Sequence, residues 1–185
     1  LVYQDFRFDN VVFDQQITSE NTTGGLQIAL VSYADSTNFH DLKFVNQGSK
    51  GVLDAVVSWD PQTNDFSEIK WRTTFLPEDI LNFNLQPSFF TVNGVQWEIA
   101  NQSDILLSTS ELNVSNFELH RGYQLVKING CLSDNERDQL RFDVLGLDLN
   151  ELSNLLDFPN QLSGRFSGWG VLSTPNNNVS ILADA

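Results

Sequence analysis

Over most of its length this chain alternates apolar and polar residues one by one. ILNFNLQ sets Leu81, Phe83 and Leu85 against Asn82, Asn84 and Gln86, and VQWEI sets Val95, Trp97 and Ile99 against Gln96 and Glu98. A period of two places successive side chains on opposite faces of a strand, whereas a helix needs apolar residues every three or four positions. The segments GVLDAVVSW, EIKWRTTFL, ELNVSNFEL, YQLVKING and QLRFDV repeat the pattern. Turn signals separate them: DPQTND, the Asn-Gly pairs at Asn93 and Asn129, HRG and SDNERD. About a dozen short strands at this spacing predict an all-β fold with one apolar and one wetted face. The candidate lining of the apolar face is Leu81, Phe83, Leu85, Trp97, Ile99, Val114, Phe117, Leu119, Val126, Ile128, Leu140, Phe142 and Val144.

The rhythm changes in LRFDVLGLDLNELSNLL, from Leu140 to Leu156. Leu149, Leu152, Leu155 and Leu156 fall at helical spacing, which predicts one short helix near residues 147–156 with its leucines on one side. PEDI carries a weaker helix signal. The helix is followed by LSGRFSGWGVLS, where Gly164, Gly168 and Gly170 would let a returning strand bend or be closely approached.

Composition removes several function classes. A chain of 185 residues with 41% hydrophobic content can build a core, so disorder is not expected. Ten Lys and Arg against 24 Asp and Glu give a net charge of -14, which argues against nucleic acid and against electrostatic docking on anionic headgroups. No apolar run reaches the roughly 18 residues of a membrane-spanning helix. The single cysteine, Cys131, lies in the strand-like KINGCLS and is expected to pack there. His40 and His120 sit in polar contexts far apart in sequence, and one cysteine with two scattered imidazoles offers no metal-ligand spacing. No nucleophile elbow, phosphate loop or HExxH is present, so neither an enzyme nor a cofactor is expected.

From QPSFF at Gln86 onward, the pieces follow a recognisable order. The tryptophan strand Val95 to Ile99 leads to a polar turn and a strand with NFEL (Asn116 to Leu119). Then come a Gly-aromatic-Gln turn (Gly122, Tyr123, Gln124), a strand ending at Gly130 with CLS after it, the strand running into LDLNELSNLL, and the glycine strand LSGRFSG. This order resembles the C-terminal region of TamB-type translocation and assembly module proteins, AsmA-like bridge proteins, in their Bacteroidota branch. The likeness is strongest over residues 86–185, and residues 1–85 match the segment that precedes it. It implies an elongated open folded sheet, a β-taco, whose concave groove is hydrophobic. It further implies a periplasmic location within an inner-membrane-anchored protein that reaches the outer membrane. The expected activity is carriage of phospholipid or another acyl-chain lipid, with assistance to outer-membrane protein assembly through a barrel-assembly partner. Residues 1–185 would be one internal segment of such a bridge, with the thirteen apolar residues above lining the groove and Leu149, Leu152, Leu155 and Leu156 capping it.

Two other readings use the same residues. A secreted β-sandwich could bind carbohydrate on a platform of Trp59, Trp71, Trp97 or Trp169. However, Trp59, Trp71 and Trp97 fall in register with the apolar face of their strands, where a sugar platform would not put them. Trp169 shares its register with Arg165, Ser167 and Val171. A third reading is a chaperone that pairs an open sheet edge with a client strand.

Overall fold

A computed structural model describes residues 2–3, 6–33, 37–92, 94–135, 137–150, 163–174 and 180–184. The alternating segments form fifteen strands: β1 (Val2–Tyr3), β2 (Phe6–Ile17), β3 (Asn21–Tyr33), β4 (Thr37–Ser49), β5 (Val52–Trp59), β6 (Ser67–Leu76), β7 (Ile80–Leu85), β8 (Ser88–Val92), β9 (Val95–Ile99), β10 (Ser103–Leu107), β11 (Glu111–Arg121), β12 (Gln124–Ser133), β13 (Leu140–Asp148), β14 (Arg165–Ser173) and β15 (Ser180–Asp184). All belong to one antiparallel sheet in which each strand pairs with its neighbour in sequence. The ladder has thirteen positions. β7 and β8 are two halves of one broken strand, β9 and β10 halves of the next, and this hairpin fits between β6 and β11. Among the described residues β1 and β15 do not pair, so the sheet stays open.

Several strands are longer than the short ones that the sequence predicts, β3 and β4 reaching 13 residues each. The predicted helix needs a correction. Leu147 and Asp148 continue β13 and only Leu149 and Asn150 are helical among the described residues. The rest of the 147–156 segment, with Leu152, Leu155 and Leu156, lies outside them. The Gly146 bulge lets the strand carry Leu147 onward, paired with Phe166. PEDI is likewise a turn, with β7 beginning at its isoleucine. His40 and His120 lie within β4 and β11.

Direct cross-strand partners project to the same side of a sheet, so the register assigns faces. One side carries the rows Phe83–Ile105–Val114, Phe117–Ile128–Phe142 and Leu119–Val126–Val144. The other carries Asp54–Arg72–Asn84–Asp104 and Glu118–Lys127–Asp143.

Left-handed kinks and one bulge keep the apolar side apolar. In β2, β3 and β4 the pairs Phe8/Val11, Ile28/Val31 and Phe39/Leu42 are spaced by three, which plain alternation would send to opposite faces. Asn10 and Asp41, with φ of 52° and 51°, sit in these gaps, and Asp60, φ 51°, stands in line with them. The Asp60 carboxylate accepts the His40 N–H while the Asp60 N–H donates to the His40 carbonyl. Ile28 and Val31 are both buried as a result, and the Phe39 ring meets Trp59 edge-on. Asn116, φ 59°, does the same between Val114 and Phe117. At Asn116 the pairing register shifts, and an extra residue of this kind sharpens local twist and curls a sheet.

Where the two strands break, buried serines replace ladder bonds. Ser88 Oγ accepts from the Lys70 N–H and donates to the Gln86 carbonyl. Ser67 Oγ accepts from the Thr91 N–H, and Ser103 Oγ donates to the Asn116 carbonyl. Ser67 and Ser103 are 0% exposed.

Candidate functional site

The apolar face is the feature that a single-layer sheet must account for. All thirteen sequence-predicted lining residues fall on it by register, from Leu81, Phe83 and Leu85 in β7, through Trp97 and Ile99 in β9, to Leu140, Phe142 and Val144 in β13. Trp97, Ile99, Val114 and Leu140 are buried, while the other nine are half-buried. The same face extends to residues outside the predicted set, among them Phe44, Ile69, Trp71, Phe90, Ile105 and Leu172. The same alternation carries them, so the signal was present in the sequence. Of the predicted capping leucines, Leu149 is half-buried and its N–H donates to the Gly164 carbonyl across 2.9 Å.

Packing across the face is local. The Phe44 and Trp71 rings stack 6.0 Å apart, reaching over Ala55 of the strand between them, and Ala55 is 2% exposed. The Phe142 ring lies over Gly170, where a side chain would displace it. The total accessible surface is 11921 Å², against about 9,000 Å² for a compact monomer of this mass by the usual scaling. Few large apolar residues are fully covered, and Phe13, Ile17 and Phe75 on this face are 70%, 77% and 53% exposed.

The opposite face is polar and internally paired. Arg72 holds Asp54 in a two-point contact at 2.7 and 3.0 Å, and the guanidinium keeps the Asp54 carboxyl below its ordinary pKa. Glu118 takes Lys127 on one oxygen and His120 on the other, and both lower its pKa, Lys127 more. Arg141 pairs with Asp143, depressing its pKa, and stacks over Trp169 at 4.9 Å from the ring centre. Trp169 is therefore on the polar face, while Trp59, Trp71 and Trp97 are on the apolar one. Cys131 also faces the polar side, beside Glu111 and Asp138; burial first, and then these carboxylates, push its thiol up to about 11, which keeps it protonated and unreactive. Among the described residues no group of three or more His, Cys, Asp or Glu is arranged to hold a metal.

The apolar face also carries buried polar residues: Thr73 opposite Phe83, Ser103 opposite Leu85, Ser88 opposite Ile99, and Gln124 one step along the same side of β12 from Val126. On the β2 to β5 side this face carries Gln15, Thr22, Gly24, Asn46 and Gly48 in place of large apolar groups. Gln15 donates to the Thr22 hydroxyl at 2.6 Å, and Asn46 is buried. They border a cavity of about 440 Å³ whose other walls include Ile17, Phe44, Leu53 and Phe75. In the sequence these residues sit in DQQITSENTTGG and VNQGS, stretches whose turn-forming types read as loop composition.

What the fold and this face define is an open antiparallel meander sheet with one predominantly apolar side. Comparison with known proteins found no matching family model, no similar curated protein and no similar solved structure.

Proposed function

We propose that this chain is an internal segment of a periplasm-spanning bridge that carries phospholipid along a hydrophobic groove between the inner and outer membranes. In the same reading it assists outer-membrane protein assembly, with a barrel-assembly protein as partner. The observation that carries the proposal is the continuity of the apolar face: side chains of β2 through β14 line one side of one open sheet while charged pairs occupy the other. The resemblance of residues 86–185 to TamB-type bridges supports the same reading.

The energetics suit such a role. Each methylene moved from water to an apolar surface gains about 0.8 kcal/mol, so a 16-carbon chain crossing bare water meets a barrier on the order of 12 kcal/mol. An unbroken apolar track removes most of it. Thirteen strand positions at about 4.8 Å each give a track of about 60 Å measured along the ladder. That is a segment of a bridge, to be repeated in a longer protein. Half-burial of Phe83, Phe117, Ile128 and Phe142 suits transient contact, because such side chains gain further cover when an acyl chain lies on them.

A second reading, strand addition, draws on β2. From Phe8 to Ile17 its outer edge has no paired strand among the described residues, and Val12 and Phe13 are 59% and 70% exposed. The carbohydrate reading has less support, since the one tryptophan on the polar face is covered by Arg141.

Native mass spectrometry of the purified chain tests the proposal. Co-purified phospholipid or fatty acid is the expected result. An apo mass that takes up oligosaccharide and no lipid would overturn it in favour of the sandwich-type binding module.

A further inference from the structure

The depression on the β2 to β5 part of the apolar face is built around one residue. Asn46 lies between Gly24 of β3 and Ala55 of β5, with Gly48 next on the same side of β4, so the smallest residue types surround a carboxamide. These glycines are not free to grow. A Cβ on Gly48 would stand 2.6 Å from the Val52 carbonyl oxygen, and one on Gly24 would meet the Gln15 side chain and the Asp14 carbonyl. Asn46 is only 8% exposed, yet its carboxamide is not sealed inside the sheet. It borders the 440 Å³ cavity, a volume within the range of small-molecule sites, so an occupant can reach it.

The walls specify the chemistry of an occupant. Ile17, Phe44, Leu53 and Phe75 present hydrocarbon, two of them more than half exposed, and a carboxamide offers an N–H donor beside them. Lys50 and Glu20, one cation and one carboxylate, border the cavity as well, so its rim favours neither sign of charge. An apolar chain joined to a carbonyl matches the hydrocarbon walls and the carboxamide between them. We propose that the cavity holds the ester end of a phospholipid acyl chain. The chain lies on Ile17, Phe44, Leu53 and Phe75, and the ester carbonyl accepts a hydrogen bond from Asn46 Nδ2. This rests on the lipid-carrying reading and adds a stopping point to the track, where the linkage of a passing lipid is recognised.

The test compares dihexanoyl phosphatidylcholine, below its micelle concentration, with the ether-linked analogue that lacks both carbonyls. The unmodified chain is expected to bind the ester lipid about fivefold more tightly, the net effect of one ordinary hydrogen bond. Asn46→Leu, similar in size, should bind both lipids equally. Equal binding of the two lipids by the unmodified chain, or a preference that survives Asn46→Leu, would overturn the inference while leaving acyl carriage intact. Binding of neither lipid would overturn both. Should Asn46→Leu fail to fold, the infrared band of a ¹³C-labelled ester carbonyl bound to the unmodified chain decides: a shift to lower frequency supports the hydrogen bond, and an unshifted band rejects it.

Discussion

The two ends of the apolar face are built differently. From β9 to β13 its floor is Trp97, Ile99, Phe117, Leu119, Val126, Ile128, Leu140, Phe142 and Val144, large side chains in adjacent rows, with Ser103, Arg121 and Gln124 at the margins of the same face. From β2 to β5 the floor includes Gln15, Thr22, Gly24, Asn46, Gly48 and Ala55, and the large apolar groups stand around a depression. The strands here are longer, and β2 leaves Val11, Val12, Phe13 and Ile17 between 46% and 77% exposed. One sheet thus offers a smooth hydrocarbon surface at one end and a recessed polar contact at the other. The first suits passage and the second suits recognition.

Substitutions at the two ends should have unequal costs. Trp97 is 9% exposed, and Trp97→Ala should destabilise by about 3–5 kcal/mol, as truncation of a buried aromatic does. Phe13 lies on the same face at 70% exposure, and Phe13→Ser should stay within about 0.5 kcal/mol. Urea denaturation of both variants measures the difference. Equal costs would show that the β2 end is as enclosed as the β9 end and would erase the distinction.

A smaller effect is expected where the two ends join. Ser103 is fully buried and bonds the Asn116 carbonyl at the bulge that turns β11. Ser103→Ala leaves that carbonyl without this donor and should cost about 1–3 kcal/mol. Hydrogen exchange should show the loss spreading into β9 and β11, with β3 and β4 unaffected. Uniform loosening would mean that the ends are not separable.

The smallest effect concerns the polar face. Arg141 holds the Asp143 carboxyl below its ordinary range. A depressed carboxyl contributes stability above its unfolded pKa and loses it as pH falls through the folded value. Arg141→Gln should therefore be slightly less stable at neutral pH, with the gap closing below about pH 4. Thermal melts at pH 7 and pH 3 measure it. A gap that persists at pH 3 would assign the effect to the lost stacking of Arg141 on Trp169.

The alternation made the apolar face legible, because a period of two assigns each residue a side whatever its neighbours do. Within each unbroken stretch of strand the predicted residues share that side for this reason, whereas Val114 shares it with Phe117 and Leu119 only through the Asn116 bulge. The kinks and the bulge were not legible. Asn10, Asp41 and Asn116 take a left-handed backbone that any Asn or Asp can adopt at modest cost, and nothing in RFDNVVF says which residue turns the strand. Leu147 and Asp148 read as helix because the leucine spacing was helical, yet pairing with Phe166 and Arg165 holds them in the sheet. Asn46 was not legible either, since VNQGS has the composition of a turn, whereas the β4–β5 ladder pairs it with Ala55 inside the strand.

The most direct test of lipid carriage places a photo-reactive probe at Ile128 and a charge at Phe142, its direct neighbour across β12 and β13. The unmodified chain should crosslink phospholipid from this probe. Phe142→Arg should remain folded, because Phe142 is only half-buried and the arginine stem can reach water. It should nevertheless lose the crosslink, since a charge facing hydrocarbon is costly. A folded Phe142→Arg that crosslinks lipid as before would contradict a track over Phe142, and unfolding of the variant would mean that this face is a sealed core.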